Sequence, residues 1–424
     1  MLLRTTSAIL FTAAAAIGAQ CAHGADWPQW RGPNRDGVSQ ETGLLAQWPE
    51  NGPPLAWRVD DLGEGYSTPS VIGDRLYVMS NKGEADEFVE ARAVKDGSQL
   101  WSVRVGNVGA NQGPQYPGAR STPTVDGQLL YALGSDGDLA CLERATGKIR
   151  WSKNMKTDFG GKRGMWAYAE SPLVDGDKLI CTPGGEEATL LALDKKSGDV
   201  IWKSAVPGGD QAAYASVIVV ETNGVKQYVQ FLQNGLVGVD AATGKFLWRY
   251  KRTAQGSPAN IPSPIASDGI VYSASGKGGG AAVTLKVSGD GVEAEEVYFS
   301  RALPTAIGGA VLVDGNMYGT TGQSTVCVDF KSGDIKWQER GLGAGAVLYA
   351  DGRLYIHGEN GNVALVEATP EAYRERGRFT PVDQPKRGQR EAAWAYPVVA
   401  NGRLYIRDKN VLWSYNVQGA SNVQ

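Results

Sequence analysis

Residues 192–202 read ALDKKSGDVIW and residues 238–248 read GVDAATGKFLW. Two further copies are CLERATGKIRW (141–151) and CVDFKSGDIKW (327–337), and a shortened one, RAVKDGSQLW, ends at Trp101. The shared pattern is an acidic residue, two free positions, Ser/Thr-Gly, three more positions and a Trp. A catalytic motif is needed once, so a pattern written five times in register is architecture. Units that recur at a fixed period are those that bury their apolar faces only against one another.

A second unit lies upstream of each copy. It reads STPSVIGDRLYV (67–78), STPTVDGQLLYA (121–132), SPLVDGDKLIC (171–181), SPIASDGIVYSA (263–274), AVLVDGNMYGT (310–320), AVLYADGRLYI (346–356) and YPVVANGRLYI (396–406), with a looser version at 214–232. Two apolar runs joined by an Asp-Gly or Asn-Gly step signal a tight hairpin whose turn needs positive φ. A short third strand follows, then the Ser/Thr-Gly turn, then a fourth strand ending at the aromatic. Four antiparallel strands per unit describe a propeller blade, and the chain holds eight such hairpins. The aromatics Trp101, Trp151, Trp202, Trp248, Tyr298 and Trp337 recur every 39 to 51 residues. They are read as wedges between blades. The eighth unit lacks a fourth strand, whereas PPLAWRVD (53–60) offers one with Trp57 in the wedge position. The expectation is therefore an all-β, eight-bladed propeller of four-stranded antiparallel blades. Residues 54–60 complete the last blade and remove an open edge.

The remaining composition narrows the setting. The formal net charge is −3, which leaves no electrostatic footprint for nucleic acid. Met1–Arg4, the apolar run 8–19 and the small-x-small AHG (22–24) form a secretory signal layout, too short for a membrane span. The division read from the chain is a signal peptide (1–24), a leader (25–53), one propeller domain (54–417) and a tail (418–424). The product is expected in the periplasm or cell envelope, not spanning a membrane, and monomeric. A lipid anchor at Cys21 is disfavoured because Gln20 is a poor neighbour for it. Cys141, Cys181 and Cys327 sit in apolar runs and read as buried hydrophobes rather than a disulfide. With only His23 and His357 in the chain, a His-based zinc site or a Ser-His-Asp triad has little to work with. No metal ligands are assigned.

The A-x-D-x-x-[ST]-G-x-x-x-W pattern, matched at every fixed position by Ala192–Trp202, resembles the repeat of the pyrroloquinoline-quinone (PQQ)-like propeller superfamily. The similarity covers about residues 50–417, and the leader DWPQWRGPNRDG (26–37) resembles the start of many exported members. The superfamily includes quinoprotein alcohol dehydrogenases and BamB, the lipoprotein scaffold of the outer-membrane β-barrel assembly machine. Fold does not select between them.

A site is sought on the loops that lead from one blade's outer strand to the next blade's inner strand, which share one face. Tyr66, Arg120, Trp166, Tyr168, Glu170, Tyr214, Asn260, Trp394 and Tyr396 cluster there, and Arg120 and Glu170 are placed to meet as an ion pair. The resemblance to quinoproteins implies PQQ stacked in the channel beside Ca²⁺ held by Glu, Asn and Asp. Glu170 and Asn260 come in a suitable order for it, but the next loop entries, ALPTAIGGA (302–310) and GLGAGAV (341–347), offer no carboxylate and no general base can be assigned. The leading expectation is a cofactor-free, non-catalytic scaffold that binds an envelope protein or a small ligand on this face. The alternatives are a PQQ- and calcium-dependent oxidoreductase and, third, a carbohydrate-active enzyme at the channel mouth. The charged stretch 370–390 is read either as an interaction loop or as a solvated insertion carrying Phe379 as that blade's wedge.

Overall fold

The structure is a computed structural model that describes residues 24–109, 118–289, 291–389 and 391–419. Its strands form eight separate sheets in a ring. Blade one spans Ser70–Asn107, blade two Thr124–Asn154, blade three Leu173–Ser204 and blade four Ile218–Tyr250. Blade five spans Ile265–Ser300, blade six Ala310–Glu339 and blade seven Gly345–Phe379. Blade eight joins the two ends of the propeller sequence: Leu55–Val59 pairs antiparallel with Val411–Asn416, with Trp57 opposite Ser414. The N-terminal closing strand lies where the sequence puts it. The first strand of each blade lines the axis and the fourth is outermost.

The repeat resolves into one contact made across each seam. In blade three the Asp194 carboxylate accepts the Lys196 and Ser197 amides, both at 2.9 Å, and this closes the turn that carries Gly198 at φ +76. The Trp151 ring of blade two packs on that glycine: a Cβ there would lie 2.9 Å from Trp151 Cδ2. Trp202 in turn packs on Gly244 of blade four, Trp101 on Gly147, Tyr298 on Gly333, and Trp57 on Gly97 of blade one. Acidic residue, glycine and indole therefore form a turn closer, a socket and a plug. Trp57, Trp101, Trp151 and Trp337 also tilt against a Tyr of their own blade's second strand, as Trp151 does on Tyr131 with centroids 6.3 Å apart, whereas Trp202 meets Tyr228 of blade four at 6.0 Å.

Three seams depart from the pattern. Blade five replaces the short turn with a long hairpin, so Trp248 packs among Val271, Val283 and Leu285 instead of on a turn glycine of the next blade. Its indole N–H donates to Gln227 Oε1 at 2.6 Å. Trp337 meets Tyr373 of blade seven, centroids 5.7 Å apart. The wedge of blade seven is Phe379, in the fourth strand Glu375–Phe379, and its socket is Gly52 of the leader, held between Trp48 and Tyr415. The first part of the 370–390 stretch is thus blade structure.

The leader is not an appendage. Trp27 exchanges backbone bonds with Val71 of blade one, Pro28 accepts the Val125 amide of blade two, and Arg35 donates to Ser171 and Pro172 oxygens before blade three. Arg31 donates to the Ala310 carbonyl of blade six, Val38–Ser39 pairs parallel with Tyr349–Ala350 of blade seven, and Ser39 bonds Val399 of blade eight. Only the axis of the ring gives one short segment access to so many inner strands. Residues 24–41 fill the channel and turn back at RGPNRDG, where Arg31 and Arg35 hold φ near +60. The chain then leaves along the seam between blades seven and eight. Cys141, Cys181 and Cys327 are buried thiols; Cys21 lies outside the described residues.

The socket contact has a direct test. Gly244 and Gly224 both occupy turns at φ +74 and +78, but an added methyl meets Trp202 Cε3 at 2.5 Å in the first and nothing within 4 Å in the second. Gly224→Ala should cost about 1 kcal/mol of backbone strain. Gly244→Ala should cost about 3 kcal/mol, because the indole is also displaced. Chemical denaturation of the two variants measures the difference, and equal losses would remove the seam contact from the account.

Candidate functional site

The loop face is organised by hydroxyls from the Ser/Thr that opens each hairpin motif. The Thr122 amide donates to Ser171 Oγ (2.8 Å), the Ser171 amide to Ser216 Oγ (2.9 Å) and the Ser216 amide to Ser263 Oγ (3.3 Å). The Tyr396 amide meets Thr68 Oγ1 in the same way, at 3.1 Å. At these four junctions a blade hands a buried backbone donor to its neighbour's side chain, as buried amides require. Just above this belt the loops are stitched together: the Tyr66 and Ser67 amides share the Ala119 carbonyl, and the Tyr214 and Ala215 amides share that of Asn260. The side chains next to these bonds are therefore held rigidly around the axis.

They enclose a cavity of about 310 Å³ lined by Trp30, Tyr66, Arg120, Trp166, Ala169, Tyr214, Ala259, Ile261, Ile307, Trp394 and Tyr396. Three tilted Trp–Tyr pairs make up most of its wall. Trp30 and Tyr396 have centroids 4.5 Å apart, Tyr66 and Trp394 5.2 Å, and Trp166 and Tyr214 5.8 Å. Trp30 comes from the plugging leader and donates its indole N–H to Ser263 Oγ at 3.0 Å. The channel is thereby a blind bowl. Among the described residues, Arg120 brings the wall its one charge. Its guanidinium is lowered from the usual range by burial, with the Glu87 charge acting against that.

Six of the nine candidates from the sequence, Tyr66, Arg120, Trp166, Tyr214, Trp394 and Tyr396, share this cavity. The other three lie outside its lining. Tyr168 turns into the cluster between blades two and three and donates to the Pro183 carbonyl at 2.9 Å. Asn260 donates to the Leu232 and Gln233 carbonyls. Glu170 is buried, accepting from the Thr182 amide and from Gln230 Nε2. The charge that acts on Glu170 is that of Arg35 of the plug, and the carboxylate charge that acts most on Arg120 is that of Glu87, rather than the two acting on each other as an ion pair. Trp30, Ile261 and Ile307 had no signal in the repeat pattern. His357 is buried, its Nδ1 2.9 Å from the Ala395 carbonyl.

The bowl does not suit calcium-bound PQQ. Calcium takes six to eight oxygens with several carboxylates among them, whereas the cavity lining contains no carboxylate. Glu170 and Asn260, which the quinoprotein resemblance puts forward as ligands, are engaged away from it. Among the described residues no three His, Cys, Asp or Glu side chains converge.

Ring, axial plug and aromatic bowl together define a plugged eight-bladed propeller with an aromatic concave site on its loop face. The family model described as outer membrane protein assembly factor BamB matches residues 37–164 and 85–339, and the chain belongs to that family. It is 24% identical over 219 residues to the BamB of Shewanella oneidensis, covering 50% of this chain and 49% of that protein. The chain thus spans about half the length of the curated relatives it matches. Among solved structures, BamB from Moraxella catarrhalis aligns with a TM-score of 0.60 at 16% identity, over 88% of this chain and 100% of the other. A quinohemoprotein alcohol dehydrogenase from Pseudomonas putida HK5 aligns with 0.61 at 13% identity, over 94% and 81%. These two likenesses carry the fold alone.

Burial raises Glu87 to about 7, against the bonds it accepts from the Ser135 hydroxyl and amide. The folded chain then holds a proton that the unfolded chain has released above the ordinary carboxyl value of 4.5. Stability from this group is complete below that value and is lost as pH rises through 7, by up to about 3 kcal/mol. His357, whose pKa burial lowers, acts in the opposite sense. Glu87→Gln isolates the carboxyl, because the amide reproduces the bonds of the protonated acid. Denaturation between pH 5 and 8 should show the variant gaining on the parent as pH rises, and a constant gap would contradict the assignment.

Proposed function

We propose that the protein is an exported, non-catalytic scaffold of the cell envelope whose working surface is the loop face around the bowl. The observation that carries this reading is chemical: the cavity lining holds one guanidinium, six aromatic rings and apolar groups. It includes no carboxylate or imidazole to serve as general base and no thiol or paired acids to act on a glycoside. Rigid aromatic and Arg side chains are the groups that dominate protein-docking energetics. The curated relatives named as outer membrane protein assembly factors support a role beside outer-membrane assembly. The layout of residues 1–24 supports export. No helix among the described residues is long and apolar enough to cross a membrane, a statement that does not bear on β-barrels.

The test is affinity capture from detergent-solubilised envelopes of the native host, with the full chain as bait. Recovery of an outer-membrane assembly complex is expected, with recovery reduced by Trp166→Ala and Trp394→Ala together. A parallel assay with PQQ and Ca²⁺ follows dye-linked alcohol oxidation. Saturable turnover there would replace the scaffold reading with the oxidoreductase one.

A further inference from the structure

We infer that the bowl is a binding site for a small, ring-bearing apolar monocarboxylate, taken up without a metal ion. This goes beyond the scaffold reading and stands on the cavity alone.

Volume and shape come first. About 310 Å³ falls at the lower end of small-molecule sites, which run from about 300 to 1,000 Å³. The leader closes the axial side through Trp30, so a ligand enters from the loop face and stops on an indole. The loop stitching and the hydroxyl belt hold this wall in place before any ligand arrives, which spares binding an ordering cost.

Chemistry decides the class. Three of the wall's six ring polar atoms are engaged within the protein: Tyr396 Oη donates to Ile307 O at 2.9 Å, Tyr214 Oη accepts the Trp166 amide at 2.8 Å, and the Trp30 indole is bound to Ser263, while Trp166 Nε1 is buried without a hydrogen-bond partner. A sugar carries more hydroxyls than the few remaining polar atoms of this wall can meet, and each one buried unpaired costs about 1–3 kcal/mol. A hydrocarbon ring instead gains contact with tilted aromatic faces. The one charge on the wall is Arg120, whose planar fork matches a carboxylate. With no carboxylate in the lining, a ligand of higher negative charge or one chelating a dication has no counterpart beyond that single guanidinium.

The test is isothermal titration of the full mature chain with 2-naphthoate and with its neutral counterpart, 2-naphthalenemethanol. Naphthoate should bind at least about tenfold more tightly, the worth of one charge-assisted pair. Arg120→Gln should reduce its affinity to that of the alcohol, Arg120→Lys should recover part of it, and Trp166→Ala or Trp394→Ala should weaken both probes. Equal affinity for the two probes in the parent would overturn the proposal. So would naphthoate binding that survives the two Trp substitutions combined. These comparisons decide the matter even where an Arg120 variant does not fold. Titration with PQQ adds a further arm: affinity that rises on adding Ca²⁺ would show dication ligands in the bowl and would also overturn it. Envelope capture is unaffected by any of these outcomes, so the two readings fail separately.

Discussion

The seams between blades depend most on an aromatic ring packed on a turn glycine of the neighbouring blade, a contact made at five of the eight. The contact is directional. Each standard blade presents a socket on one side, Gly198 for example, and a plug on the other, Trp202, so assembly runs head to tail. Such heterologous contacts make open filaments unless the rotation per step closes a circle. Here the circle closes because the eighth plug, Trp57, comes from the opposite end of the propeller sequence and seats on Gly97 of blade one. The positive φ of the socket glycine serves the seam twice: it completes the turn and leaves its face bare for the ring.

The leader is the second constraint, and it links fold to site. An eight-bladed ring leaves an axial channel lined by inner strands whose axis-facing edge carries backbone groups not paired within the blade. Arg31 and Arg35 bring forked donors to those carbonyls, at the expense of burying two guanidiniums; burial lowers that of Arg35 to about 10, partly offset by the Glu170 charge. Burying a cation is tolerable when hydrogen bonds and a countercharge meet it, and here carbonyls and a carboxylate do so. The consequence for function is that Trp30 becomes the floor of the bowl. A segment that looks like a tether supplies one face of the candidate site.

Legibility in the sequence follows periodicity. Blade number, strand order, ring closure and the seam aromatics rest on residues repeated in register, and each repetition strengthens the signal. Gly52 standing in for a missing turn, and the broken socket opposite Trp248, were not visible because they occur where the period lapses. The leader was opaque for a related reason: its partners lie in seven different blades, so no spacing within 25–53 announces them. At the site, position on a non-periodic loop was enough to gather six cavity residues. It could not separate Trp166 from Tyr168 two residues on, because which side of an irregular loop faces the axis is set by its bonds to the next blade. The Ser/Thr of the hairpin motif was legible as a recurring residue, though not as an amide acceptor for the preceding blade.

The measurement that bears most directly on the seam account is hydrogen–deuterium exchange of Trp57→Ala against the parent chain. Removing the closing plug should open the ring at one place. Amides of Leu55–Val59, Val411–Asn416 and the Gly97 turn should lose protection together, while the Trp202–Gly244 seam keeps it. Protection lost evenly around the ring, or unchanged at the closing blade, would contradict an architecture held by indole-on-glycine seams.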